Sequence, residues 1–219
     1  MQLYLYHFFE VLSTLLALYF YRSLREHRMG ILMPFLVFIS VAEYVAILQR
    51  NVLHTSTYAI NYLILLVEWF FYNLLFLRMA RQRFFLQYLY LSIPVMSIGI
   101  VASYIFFPDF YPAFYYCIIS AGFFLSVAAL GYMYFRFLDD DKTDLLNDPV
   151  IWIAVGVVFF FSGVSIVFSM YQLIQIRKIN LWGEPIYTLV PRILSIFLYS
   201  CISIAIIKCR KTIPSSPAS

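Results

Sequence analysis

Residues 149–174, "PVIWIAVGVVFFFSGVSIVFSMYQLI", run for 26 positions without one charged side chain. About 20 such residues in a helix span the roughly 30 Å hydrocarbon core of a bilayer. Water is missing there, so a crossing segment must satisfy its backbone as a helix or within a closed barrel. Barrel strands alternate apolar and polar residues, and this run does not. A membrane helix follows. Six further runs, 3–23, 30–49, 58–78, 84–107, 113–137 and 186–208, have the same character and are joined by short connections. The predicted fold is an all-α, polytopic seven-transmembrane-helix bundle over 1–208, with a short polar tail at 209–219. Composition closes the soluble alternative. The 219-residue chain is 63% hydrophobic and 12% charged, whereas soluble domains carry about a quarter charged residues.

The first run lacks a basic leader and a small-residue cleavage site, so it is expected to be a retained helix rather than a signal peptide. Cys117, Cys201 and Cys209 lie in or beside apolar runs, without metal or disulfide spacing, and are expected to pack. Helix boundaries have local signals. "NDPVIW" places Asp148 at an N-cap and Pro149 in the first turn that follows. "FFPDFYPAF" puts Pro108 and Pro112 in a turn. Gly156 and Gly163, Gly122 with Ser126, and Gly99 with Ser103 mark expected close helix contacts.

Basic residues predict the orientation. Of the fifteen Lys and Arg, eleven fall on one side, around 22–28, 78–83, 136–142 and 208–211. Arg50, Arg177 and Lys178 fall on the other, and Arg192 lies inside a run. By the positive-inside rule, the N-terminus is outside and the C-terminus cytoplasmic, as expected of a multi-pass protein of the cytoplasmic (inner) membrane. The acidic run "LDDDKTDLLNDP" then faces the cytoplasm.

Polar residues inside the apolar runs recur on narrow helical faces. The first run carries His7, Glu10 and Ser13; the second Ser40 and Glu43; the third Tyr58, Asn61, Glu68 and Tyr72. The sixth carries Ser162, Ser165, Ser169 and Gln172, and the seventh Thr188, Arg192, Ser195 and Tyr199. Lipid would leave such faces unsatisfied, so they point inward. Glu10, Glu43 and Arg192 lie about two turns from the outer boundary, and Glu68 nearer the midplane. The expected ligand-binding pocket therefore comprises His7, Glu10, Glu43, Asn61, Glu68, Ser169, Gln172 and Arg192. Three carboxylates facing one guanidinium cannot all be ionised and paired, so one is expected to hold a proton or an external cation. Whether Arg192 pairs with Glu43, Glu10 or neither is open at this stage.

Enzyme signatures are missing: the chain has no HExxH and no CxxC. Residues 190–205, "VPRILSIFLYSCISIA", contain no lysine for a retinal Schiff base. His7 with Glu10 one turn away and His54 in the following loop makes a surface metal site conceivable, but two histidines and scattered acids are weak evidence for one. No catalytic residue, metal or cofactor is assigned, and nucleic acid is not an expected partner.

"LLNDPVIWIAVGVVFFFSGV", residues 145–164, resembles a pattern of small seven-helix membrane proteins of Bacteroidota: Asn-Pro, an aromatic-Trp pair, then two glycines separated by aromatics. Asn147, Pro149, Trp152, Gly156, Phe160 and Gly163 match, with Asp148 inserted and Ile151 in place of the aromatic. Glu43 and the Asn61/Glu68 face are also similar. That family is largely uncharacterised and tends to be encoded beside sensor-kinase-like genes, so the resemblance implies a sensory or accessory membrane role. The leading expectation is a receptor-like module with an outward polar pocket, relaying to a membrane or cytoplasmic partner through "RSLREHR", "RMARQR" and "DDDKTD". The alternatives are an accessory subunit of a membrane complex and a small-solute or proton-linked transporter.

Overall fold

The computed structural model describes residues 5–80, 82–107, 111–138, 145–178 and 180–211. The acidic run at 139–144, Pro108 and the polar tail from 212 lie outside the described residues. The rest is an all-α membrane bundle. Six segments are long and apolar enough to cross a bilayer: Leu32–Leu53, Tyr58–Met79, Arg83–Phe106, Pro112–Leu138, Pro149–Ser169 and Ile186–Arg210. The first predicted span is shorter than expected. Helix α1 covers Leu5–Tyr19, breaks at Phe20, and is followed by α2, Tyr21–Glu26.

The chain then forms α3 (Leu32–Leu48), which continues as a π-helical turn over Gln49–Leu53. After it come α4 (Tyr58–Met79), α5 (Arg83–Phe106), α6 (Tyr111–Leu138) and α7 (Pro149–Ser169). A break at Met170 separates α7 from the short α8 (Tyr171–Arg177), where one continuous helix to 174 is expected from sequence. Before α9 (Ile186–Lys211), a two-stranded antiparallel hairpin forms, β1 (Asn180–Leu181) with β2 (Glu184–Pro185). Its two-residue turn puts both Trp182 and Gly183 at positive φ, 52° and 82°, which is the backbone twist such tight hairpins require. The sequence shows no Asn-Gly or Asp-Gly there, which is why the hairpin is not evident from it.

Helix packing follows the chain around a closed ring. α1 packs on α3, α3 on α4, α4 on α5 and α6, α6 on α7, α7 on α9, and α9 returns to α1. α5 stands outermost, against α4 and α6. Trp69, Tyr72, Phe76 and Phe161 are among the largest fully buried side chains. Phe35 stacks on Phe71 at 3.7 Å between ring centroids, and Tyr72 meets Phe161 edge-on at 5.6 Å. Leu91, Ile98, Phe123 and Ile166 are instead 60–69% exposed. A water-soluble surface does not carry this much exposed apolar area; lipid acyl chains suit it.

The predicted cap of α7 is present. Asp148 Oδ1 accepts from the Val150 amide at 2.9 Å, and Oδ2 accepts from Arg136 Nε at 2.9 Å and Tyr132 at 3.3 Å. The resemblance pattern around it is largely packing chemistry. Asn147 Oδ1 accepts from Lys208 Nζ at 2.8 Å, and Trp152 Nε1 donates to the Leu146 carbonyl at 3.0 Å. A Cβ on Gly156 would stand 3.0 Å from Leu198 and Cys201, and one on Gly163 would stand 2.6 Å from Leu194, so both glycines let α9 approach α7. Gly122 does the same for α6 and α7: an added Cβ would overlap Ser165 Oγ and sit 3.0 Å from the Phe161 carbonyl oxygen. Gly99 departs from expectation. Nothing lies within 4 Å of its would-be Cβ, because that face of α5 points outward.

These contacts set the outcome of three substitutions, each read by thermal unfolding in detergent. Gly122→Ala should cost about 1–3 kcal/mol by overpacking, whereas Gly99→Ala should be neutral or gain up to about 1 kcal/mol of helix propensity. Asp148→Ala should cost about 1–2 kcal/mol through the lost cap.

Candidate functional site

The buried stripe of α1 is polar at its start: His7, Glu10, Ser13 and Thr14 face inward, followed by Ala17. Spacings of three and four residues put them on one face. The Ser13 and Thr14 hydroxyls donate to the Glu10 carbonyl at 2.8 and 2.9 Å, holding them close to the helix. Thr14 Oγ1 also meets Ser40 Oγ of α3 at 3.0 Å, which sets α1 and α3 in register. That register brings the acids of the two helices together. The Glu10 carboxyl lies near Ser40 and within 4.8 Å of a Glu43 carboxyl oxygen, and Glu43 lies near the Tyr6 side chain.

Beside this cluster lies a cavity of about 300 Å³. Its polar lining is Tyr6, Glu43, Arg50, Asn61 and Glu68; its apolar wall includes Phe114, Phe160, Phe161, Phe168 and Pro191. The lining comes from α1, α3 and its π turn, α4, α6, α7 and α9. A small pocket with a few convergent polar groups on aromatic walls is the usual form of a ligand site. Two acids against the one guanidinium of Arg50 leave this lining net acidic, which together with the aromatic faces suits a cation with an apolar body.

The sequence-predicted residues divide into four sets. Glu43, Asn61 and Glu68 line the cavity. His7 and Glu10 are buried behind it, 7% and 2% exposed. Ser169 and Gln172 are exposed and outside this lining, because the break at Met170 ends the inward face of α7; the Ser169 hydroxyl donates back to the Ile166 carbonyl at 2.7 Å. Arg192 forms its ion pair with Glu184 of β2, an acid outside the apolar runs, while remaining in electrostatic reach of Tyr6 and His7. The hairpin turns the chain back so that β2 packs on α9.

Arg50, Tyr6 and the wall phenylalanines were missed by sequence reasoning. A signal for Arg50 existed: it follows Glu43 by seven residues, which is two helical turns, and the π turn carries it to the cavity. The phenylalanines gave none, since 23 Phe in one chain make any helix face look aromatic. No family model, curated protein or solved structure matches the chain.

Carboxylates placed among apolar helices cost stability unless something pairs with them. Glu43→Gln and Glu68→Gln should therefore each raise the stability of the ligand-free protein, by about 1–3 kcal/mol per relieved polar group, read as a higher melting temperature. A fall in both would make these acids structural supports.

Proposed function

We propose that the protein is a receptor-like membrane module whose cavity binds a small organic cation with an apolar body. The observation that carries this reading is the pairing of Glu43 and Glu68 with an aromatic wall in one cavity inside the membrane bundle. Ionisable side chains kept within membrane helices generally serve function, because each is expensive to hold there.

The reading places the cavity toward the outside, from the distribution of Lys and Arg along the sequence. Ligand contacts fall on α3, α4, α6, α7 and α9 together, so closure around a bound cation shifts these helices relative to one another. The start of α7 and the last turns of α6 and α9 are joined at the opposite end by Arg136–Asp148 and Lys208–Asn147. That end is where a cytoplasmic or membrane partner reads the shift. The resemblance to small seven-helix proteins encoded beside sensor-kinase-like genes points the same way.

Titration calorimetry of the detergent-purified chain against a panel of arylalkyl amines and their quaternary ammonium analogues tests the proposal. Saturable binding is expected, weakened about tenfold or more by Glu68→Gln, a loss of about 1.4 kcal/mol or more. Equal binding by the wild type and by Glu68→Gln and Glu43→Gln, or none by any amine, would overturn it. Amine flux into proteoliposomes that Glu68→Gln abolishes would make the protein a transporter instead. A stoichiometric membrane partner without amine binding would make it an accessory subunit.

A further inference from the structure

Behind the cavity, one ring nitrogen of His7 and one carboxylate oxygen each of Glu10 and Glu43 lie within 4.8 Å of one another. His7 and Glu10 share a face of α1, and Glu43 arrives from α3, so the packing of two helices builds the cluster. A second observation points into it. Oε1 of Glu10 is buried without a hydrogen-bond partner, on a side chain only 2% exposed. A carboxylate oxygen in that position lacks several kcal/mol of solvation that a ligand can restore.

From these contacts we infer that His7, Glu10 and Glu43 form a binding site for one divalent transition-metal ion of the zinc, manganese or ferrous class. The donor set selects the class. One imidazole and two carboxylates supply mixed nitrogen and oxygen ligation with a charge of −2, which a divalent ion neutralises. Imidazole disfavours calcium and magnesium, and the lack of a thiolate among these donors disfavours soft ions such as cuprous copper.

Distance is compatible with small adjustments. Metal bonds of about 2.0–2.2 Å to these donors place the ligand atoms roughly 3.4 Å apart in a tetrahedral shell, within reach of rotamer shifts at three side chains. Outer polar groups lie beside the ligands, as such sites require: Ser40 near Glu10 and Tyr6 near Glu43. Three protein ligands leave further coordination positions open. Glu43 also lines the cavity, so the ion would sit beside it. With the ion in place, Glu10 and Glu43 are neutralised and Glu68 is the carboxylate left to the cavity. This site stands without the receptor reading, and the receptor reading stands without it.

The test uses the full chain, purified in detergent, stripped with chelator and dialysed against Zn²⁺ alone. One zinc per chain is expected by elemental analysis. X-ray absorption at the zinc edge of the unsubstituted protein should show one imidazole and otherwise oxygen ligands, a readout that needs no variant. H7Q, E10Q and E43Q should each weaken zinc binding about tenfold or more while eluting as monodisperse protein, and H27Q and H54Q should bind as the wild type does. Absence of stoichiometric zinc, sulfur in its shell, or binding that survives E10Q and is lost in H54Q would overturn the inference. Amine binding by the zinc-free protein, measured separately, would then still support the cavity's proposed function.

Discussion

Everything in this structure depends on a solvent that offers no hydrogen bonds. In hydrocarbon, each backbone amide and carbonyl must be satisfied within its own helix, so the chain becomes a ring of helices with lipid on the outside. Polar side chains then have one favourable direction, toward the ring interior. Serine and threonine hydroxyls can fold back on their own helix, as Ser13, Thr14, Ser195 and Ser200 do. Carboxylates cannot, because an ionised carboxylate only accepts and the helix offers no free donor. Glu10, Glu43 and Glu68 therefore face the interior, Glu43 and Glu68 in the cavity lining and Glu10 buried beside it, and the polar chemistry concentrates there.

Around that interior, α7 sets the spacing. Glycines at 156 and 163 let α9 come close on one side, and Gly122 of α6 does the same on the other. Close packing of this kind replaces the hydrophobic effect, which has little to act on between helices already in oil. At its start α7 is pinned electrostatically, with Asp148 serving at once as cap, ion-pair partner of Arg136 and acceptor from Tyr132. The cavity end is less regular. α3 unwinds into a π turn, Pro191 lies within α9 without an amide to donate, and α7 breaks at Met170. Irregular turns of this kind concentrate at functional sites elsewhere.

The charge pattern shows how far linear spacing carries. Helical periodicity correctly placed Glu10, Glu43 and Glu68 inward, since each follows from its own helix alone. It could not assign Arg192 a partner. Glu184 lies only eight residues earlier, yet the contact needs β2 folded back along α9, and the hairpin that does so has Trp182 where Asn or Asp is expected. Ser169 and Gln172 went the other way: their spacing fits the inward face of a continuous helix, and a single break removed them from it. Sequence gave little ground for a metal site because His7 and Glu43 are 36 positions apart, and their meeting is a property of how α1 and α3 pack.

By itself, then, the order of residues determined that this chain lives in a bilayer, that its backbone is helical, where α7 begins and which faces carry polar groups. These are local matters, set by hydropathy over about 20 residues and by periodicity within one helix. Tertiary structure alone decided which acids touch, which acid Arg192 pairs with, and that phenylalanines of α6 and α7 wall the cavity. Those outcomes depend on rotation and register between helices, which shape complementarity at small residues and a few hydroxyl contacts fix, and which no single segment encodes.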